Sequence, residues 1–167
     1  MIGSSELLLT MGALIIFGLY AMQANRSMVT ADTWSIENET QLEAAKIGEA
    51  IIHQAAALPF DIVVAEDPLP GNDVEQLTPR SAFGINDGEK DKRPAAVTFD
   101  DFDKQQFTES GIFGEYVVNT EVWYVDPITG LNIENDATRS LRKRLIVTIS
   151  HPNLNSDITM RYTKSYH

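Results

Sequence analysis

The first third of the chain has the pattern of one long helix whose apolar residues change their arrangement along its length. From Leu7 to Asn25 no residue is charged, and about 19 such positions are enough to cross the hydrocarbon core of a bilayer as a helix. No proline occurs before Pro59, so the chain can stay helical for about 55 residues, or about 80 Å. The weakest stretch is residues 29–33, where Asp32 could serve as the N-cap of a fresh helix.

The second half of this helix is amphipathic. Its apolar or small positions recur at i, i+3, i+4, i+7, i+11 and i+14, which places them on one stripe: Ala44, Ile47, Gly48, Ile51, Ala55 and Leu58. This half is predicted to pack on the rest of its own chain. The first half is apolar all round and cannot remain exposed in water.

Residues 59–96 carry five of the seven prolines and are predicted to form a long surface connection with one short strand at residues 61–65. The last third is rich in β-branched and aromatic residues. It predicts strands at residues 113–125, 145–150 and 158–163, joined by short polar links as an antiparallel meander. The expected fold is α+β, a long N-terminal helix packed on a small antiparallel sheet. Its expected segments are the apolar N-terminal part of the helix (1–28), the amphipathic half of the helix (29–58), the Pro- and Gly-rich connection (59–96) and the antiparallel sheet domain (97–167).

Charge and composition exclude several function classes. The formal net charge is −11, which disfavours nucleic-acid binding because phosphates require a basic surface. The absence of cysteine excludes disulfides, thiol nucleophiles and cysteine-ligated metals. No glycine-rich phosphate loop or nucleophile motif occurs, so we expect neither an enzyme, nor a cofactor, nor a small-molecule substrate.

Two charged clusters precede predicted strands. Asp100, Asp101 and Asp103 are expected to form a solvated acidic turn. The main basic cluster comprises Arg139, Arg142, Lys143 and Arg144. It is interpreted either as a solvated strand edge or as a partner for the acidic turn of another subunit.

The apolar N-terminal run has three interpretations. It is a cleaved secretory signal, a lone membrane anchor, or a helix that starts in a membrane and ends inside a polymer. A signal peptide is disfavoured because no basic residue precedes the apolar core and the residues near Ala24 form a poor cleavage site.

The order of these parts resembles the type IV pilins and the pseudopilins of type II secretion. The stretch EAAKIGEAIIHQAAALPFD resembles the end of the pilin helix. FDDFDKQQ followed by FGEYVVNTEVWYVD resembles an acidic turn and a first sheet strand, and KRLIVTISHP resembles the central strand after it. The resemblance implies a structural subunit of a helical surface filament. Its partners would be copies of itself, the inner-membrane assembly machinery, and the inner membrane before assembly.

The resemblance also implies which residues meet neighbouring subunits. The expected contacts are Glu6, Gly12, Gly18, Leu7, Leu8, Leu9, Leu14, Ile15, Ile16 and Phe17. In pilins a comparable glutamate pairs with the N-terminal amine of a neighbour, whereas the alternative here is a first-turn glutamate that faces lipid headgroups. Some pseudopilins bind calcium near the position of the acidic turn, which makes Asp100, Asp101 and Asp103 candidate ligands, although the EF-hand spacing is absent.

Three features differ from the pilin pattern. No Lys or Arg precedes Gly3, Glu6 does not fall at the fifth position after it, and no disulfide can form. The alternative function is a single-pass membrane-anchored accessory protein, such as a minor pseudopilin or a secretion-system scaffold, that does not polymerise alone. A membrane-anchored enzyme is a third class for which no residues are identified.

Overall fold

The computed structural model describes residues 3–66, 69, 73–85 and 96–166. Helix α1 spans Ser4–Ala57 without a break, so no second helix begins at Asp32. The threonine hydroxyls in the weak stretch bond back to the preceding turn, Thr30 to the carbonyl of Arg26 at 2.9 Å and Thr33 to that of Val29 at 2.8 Å. Their hydrogen-bonding capacity is thereby satisfied within the helix. The chain divides into two compact units, Met1–Glu39 and Thr40–His167.

The second unit contains a four-stranded antiparallel sheet in the order β1-β2-β3-β4, with β1 Gln105–Gly111, β2 Gly114–Tyr124, β3 Arg142–Ser150 and β4 Ile158–Ser165. The three predicted strands correspond to β2, β3 and β4. Strand β1 was not predicted, because Phe107 is its only buried residue and the others read as a polar link. The α+β class is confirmed.

The amphipathic half of α1 packs on this sheet through the predicted stripe. Ala44, Ile51 and Ala55 are buried. A Cβ at Gly48 would lie 2.5 Å from Sδ of Met160 and 3.1 Å from a methyl of Ile149, so the glycine permits the helix backbone to approach β3 and β4 closely. The inward faces of β2 and β3 alternate as expected and complete the core: Val118, Thr120, Val122, Tyr124, Leu145, Val147 and Ile149.

The predicted strand at residues 61–65 is wrong, because Ile62–Glu66 form a short helix, α2. The carboxylate of Asp61 accepts a hydrogen bond from the backbone N–H of Val63 at 3.2 Å, which is the N-cap arrangement of a helix start. Short 3₁₀ turns follow at Val74–Gln76, Arg80–Ala82 and Phe99–Phe102. The prolines Pro68, Pro70 and Pro94 and the polar run at residues 88–93 lie outside the described residues.

The connection at residues 59–96 was predicted to lie on the surface, but part of it is buried. Four of its apolar side chains are buried in the core of the second unit: Phe60, Leu69, Leu77 and Phe83. Burial of apolar surface stabilises the folded state by about 25 cal/mol per Å². The connection therefore contributes to the stability of the sheet domain.

A lysine from the last strand holds the end of α1. The Nζ of Lys164 donates hydrogen bonds to the carbonyl of Ala56, at 2.8 Å, and to that of Leu58. The last carbonyls of a helix lack partners within it and carry partial negative charge, so a cation satisfies both needs. Burial lowers the pKa of Lys164 from its usual range.

Candidate functional site

The apolar half of α1 is exposed along its length. Every large apolar side chain from Leu7 to Met22 is between 52% and 78% exposed, and these include the predicted contact residues Leu7, Leu8, Leu9, Leu14, Ile15, Ile16 and Phe17. Among the described residues one helix is long and apolar enough to cross a membrane, and its most apolar window has a mean hydropathy of 1.9 with none of it buried. This surface needs a lipid or protein environment.

The two glycines of this half have open space around them. A Cβ at Gly12 or at Gly18 would meet no atom of the chain within 4 Å. Within one chain, neither glycine is therefore required by a close contact. Their small size matters only if something outside the chain approaches the helix there.

Glu6 lies in the first turn of α1, where the helix dipole favours a carboxylate. The hydroxyl of Thr10 donates to the carbonyl of Glu6 at 2.8 Å. Among the residues that the structure describes, the side chain of Glu6 makes no hydrogen bond or ion pair. The contact predicted for Glu6 is with another subunit and stays a prediction.

A band of aromatic and polar side chains, from Tyr20 to Trp34, lies around the end of the apolar run and was not predicted from the sequence. An open groove of about 560 Å³ on α1 is lined by Gln23, Arg26, Ser27, Thr30, Ala31 and Trp34. Trp34 is 66% exposed, and Tyr20, one turn and a half before Arg26, is 78% exposed. Exposed Trp and Tyr with a flanking Arg are typical of a membrane–water interface. The sequence signal was the order of these residues, with Tyr20 near the end of the apolar run and Arg26 and Trp34 after it.

The most unusual site of the second unit is a buried charge cluster. Nζ of Lys143 lies 2.8 Å from Oδ2 of Asp61 and 2.8 Å from Oδ1 of Asp100. It also donates to the carbonyl of Phe60 at 3.0 Å. The side chains of Lys143 and Asp61 are fully buried, and that of Asp100 is 5% exposed.

Three aromatic rings and one threonine surround this cluster. Nζ of Lys143 lies 4.6 Å from the ring centre of Phe60, 4.8 Å from that of Phe83 and 5.3 Å from that of Tyr124. Thr78 donates its hydroxyl to Oδ1 of Asp61 at 2.8 Å and its N–H to Oδ2 at 3.0 Å. The apolar walls exclude water, which strengthens the attraction between the charges and raises the cost of leaving one of them unpaired.

The two carboxylates of the cluster differ in acidity. Burial raises the pKa of Asp100 to about 6, because it outweighs the attraction of Lys143 and is reinforced by the charge of Asp61. Burial opposes ionisation of Asp61 too, but the Lys143 ion pair and the bonds from Thr78 and Val63 outweigh it, so the pKa of Asp61 is lowered. One ammonium therefore faces a firmly ionised carboxylate and one that accepts a proton near neutral pH.

The acidic turn is not solvated as predicted, since Asp100 and Asp103 are buried. Its three carboxylates point to different partners. Asp101 accepts from the N–H groups of Val97 and Thr98, both at 2.8 Å, and Asp103 accepts from the N–H of Val122 at 2.8 Å. Among the described residues no three His, Asp or Glu side chains are grouped so as to hold a metal ion.

The interpretation of the basic cluster as a solvated strand edge is wrong for Lys143. Strand β3 lies between β2 and β4, and Lys143 is on its buried face together with Leu145, Val147 and Ile149. The period of two residues in the sequence placed Lys143 on that face, and its partner Asp61 follows directly after the Pro-Phe pair. Arg142 and Arg144 instead support the turn after β2, through the carbonyls of Pro127 at 3.3 Å and Gly130 at 2.9 Å.

No protein-family model, curated protein or solved structure matches this chain at a significant level.

Proposed function

We propose that this chain is a structural subunit of a helical, type IV pilin-like surface filament that polymerises through its apolar N-terminal helix. One observation carries the proposal. The same uninterrupted helix is apolar and exposed from Leu7 to Met22 and is packed on the sheet of its own chain from Thr40 onward. A helix with these two halves suits a subunit that contributes one half to a shared core.

The energetics support removal of the first half from water. Eleven large apolar side chains lie exposed between Leu7 and Met22. Burying each side chain of this size is worth about 1.5–3 kcal/mol relative to water. A membrane supplies that environment before assembly, and a bundle of identical helices supplies it afterwards. Because lipid is as apolar as the side chains, transfer from membrane to bundle depends on close packing between helices.

In this proposal the sheet domain forms the outer wall of the filament. Three contacts support a rigid domain on the second half of the helix. They are the buried ion pair of Lys143, the hydrogen bonds of Lys164 to the end of α1, and the close approach of the helix backbone to the sheet at Gly48. The subunit resides in the inner membrane before assembly and in an extracellular filament after it.

The second candidate is a single-pass membrane-anchored accessory protein, either a minor pseudopilin or a secretion-system scaffold, that does not polymerise alone. The band of Tyr20, Arg26 and Trp34 favours it, because these side chains suit a permanent position at the membrane surface. Open space around Gly12 and Gly18 is compatible with either candidate.

Electron microscopy of native material, with a variant that lacks residues 1–28, tests the proposal. We expect the native protein to form filaments and the truncated one to be a soluble, folded monomer, because the main surface for association is gone. Circular dichroism and size-exclusion chromatography check the fold and the mass of the truncated protein. Identical filaments from the truncated protein would contradict the core assignment, and native protein that remains dispersed in membranes would favour the anchor.

A further inference from the structure

The buried cluster of Lys143, Asp61 and Asp100 brings together the reactants of an amide bond. An amine and a carboxyl group lie in contact at 2.8 Å, and a second carboxyl group contacts the same nitrogen at 2.8 Å. All three side chains are at least nine-tenths buried. The site therefore contains a nucleophile, an electrophile and a group that can carry a proton between them.

The surroundings favour uncharged species at this site. With both carboxylates ionised, the cluster holds two negative charges and one positive charge behind the rings of Phe60, Phe83 and Tyr124. Ions are costly in such an environment. Condensation of an ammonium with a carboxylate gives a neutral amide and a water molecule, so it removes one charge of each sign from the interior.

The hydrogen bonds around Asp61 suit attack at its carboxyl carbon. Oδ1 of Asp61 accepts from the N–H of Val63 at 3.2 Å and from the hydroxyl of Thr78 at 2.8 Å. Two donors on one oxygen stabilise the negative charge that develops there when a nucleophile adds to the carbon. Oδ2 of Asp61 accepts from the N–H of Thr78 at 3.0 Å and from Nζ of Lys143 at 2.8 Å, and it is the oxygen placed to leave because the protons of the lysine reach it.

We propose that Lys143 and Asp61 condense within the folded chain to an isopeptide bond, with Asp100 as the catalytic residue that transfers the proton. The ammonium first gives one proton to Asp100, which passes it to Oδ2 of Asp61, so that a neutral amine faces a carboxylic acid. The lone pair of Nζ adds to Cγ of Asp61, and the negative charge develops on Oδ1. Asp100 takes a second proton from Nζ and delivers it to the hydroxyl at Oδ2. The Cγ–Oδ2 bond breaks and water leaves, so atoms and charge balance without a co-reactant.

The acidity of Asp100 suits this role. Because burial raises the pKa of Asp100 to about 6, it both accepts and releases a proton near neutral pH. Asp61 is the better acceptor of the new bond, because the N–H groups of Val63 and Thr78 and the hydroxyl of Thr78 hold its carboxylate in place. The product would join β3 to the segment that follows α1, 82 positions earlier in the chain. It would be a covalent cross-link in a protein that has no cysteine and so forms no disulfide.

The test is the intact mass of the full chain, purified in detergent and then denatured, beside the mass of an Asp100→Asn variant. Both proteins share any processing of the N-terminus. We expect the wild type to be lighter than the variant by one water molecule, after allowance for the substitution itself. Peptide mapping is expected to show one branched peptide that contains both Lys143 and Asp61, and no tryptic cleavage after Lys143.

The intact mass of the wild type shows whether the isopeptide bond forms, even if the Asp100→Asn variant does not fold. A wild type that keeps its full mass after long incubation of the folded protein at neutral and mildly acidic pH would overturn the proposal. So would a lost water that maps elsewhere, for example to a succinimide at the Asp87-Gly88 pair. A wild-type cross-link that also forms fully in folded Asp100→Asn would overturn the role of Asp100. None of these outcomes bears on whether the protein forms filaments.

Discussion

The hydroxyl of Tyr116 donates a hydrogen bond of 2.8 Å to Oε2 of Glu43 and joins the second half of α1 to β2. The other carboxylate oxygen of Glu43 accepts from the N–H of Ile112 at 2.8 Å, in the turn between β1 and β2. Glu43 therefore holds the tip of this hairpin against the helix. The bonds from Ile112 and Tyr116 lower the pKa of Glu43, and burial together with the bond to Glu43 raises the pKa of Tyr116 to about 12.

Replacing Tyr116 by Phe removes one of these bonds and little volume. We expect Tyr116→Phe to lower the free energy of unfolding by about 1 kcal/mol, the usual net value of one hydrogen bond. Urea denaturation of the soluble domain that lacks residues 1–28 measures it. The control is a double-mutant cycle with Glu43→Leu, in which the two losses should not add fully, because each change removes the bond between Tyr116 and Glu43. Fully additive losses would mean that the bond contributes nothing.

The acid dependence of the same pair has a definite sign. Since the folded protein holds the pKa of Glu43 below 4.5, the stabilisation by its carboxylate is complete above that pH and is lost as the pH falls through the lower folded value. Tyr116→Phe should weaken this dependence, which unfolding curves in mildly acidic buffers would detect.

Asp100 has the opposite pH dependence. Its pKa rises from 3.8 to about 6 on folding, so the folded state binds the proton more tightly. Stability from this group is fully present below 3.8 and is lost as the pH rises through about 6, and the whole change is on the order of 3 kcal/mol. We expect this slope in the wild type and its absence in Asp100→Asn. Equal slopes in both proteins would contradict it. Joining Lys143 to Asp61 would remove one charge that lowers the pKa of Asp100 and one that raises it, and would leave burial, which raises it most, so we expect the same sign.

The second half of the helix and three strands were predictable from the sequence because the apolar residues of each element recur at a regular spacing. Ala44, Ile51 and Ala55 repeat at helical spacing, and Val118 and Val122 alternate with polar residues along β2. Strand β1 lacked such a spacing of apolar residues. It is a strand because it pairs with β2, for example with Phe107 opposite Val118, and its own residue pattern does not indicate this.

The buried charge cluster was missed for a different reason. A lysine in a basic run is normally solvated, and Lys143 departs from that rule because Asp61, Asp100 and three aromatic rings enclose it. Asp61 and Lys143 lie 82 positions apart, and no local period connects them. Local patterns predict which face of an element is buried, but they do not reveal which distant charges meet there.

Gly12 and Gly18 distinguish a packed filament core from a lone anchor. Because a Cβ at either position meets no atom of another part of the chain within 4 Å, we expect Gly→Leu to cause no clash within the isolated subunit. In a filament core with close helix contacts, the larger side chain should block assembly while membrane insertion remains normal. In a lone anchor the change should be silent, or stabilising by about 1 kcal/mol, because glycine is a poor helix former.

The measurement is filament yield by electron microscopy, with membrane fractionation of the same cells. Gly12→Ala and Gly18→Ala serve as matched controls, since one methyl group should disturb packing less than an isobutyl group. Normal filaments from both leucine variants would remove the glycines from the interface and favour the anchor.

Glu6 provides the most direct distinction between the two functions. A carboxylate in a dry helix bundle needs a cation, and the N-terminal amine of a neighbouring subunit is the partner that the pilin resemblance implies. Glu6→Gln keeps the shape and the hydrogen-bonding capacity but removes the charge. It would leave that amine buried without a counter-ion, at a cost on the order of 3–5 kcal/mol per subunit. We therefore expect Glu6→Gln to reduce assembly or to disturb subunit register, and Glu6→Asp, which retains the charge on a shorter side chain, to be less impaired.

In a lone anchor Glu6 faces headgroups, and its favourable interaction with the helix dipole is at most about 1 kcal/mol. Glu6→Gln should then leave the abundance and location of the protein unchanged. Filament yield and helical order by electron microscopy, with immunoblots of membrane fractions for abundance, separate the two cases. Wild-type filaments from the Glu6→Gln protein would exclude the charge pair as the determinant of register but would leave the filament itself in place, because the apolar surface from Leu7 to Met22 remains intact.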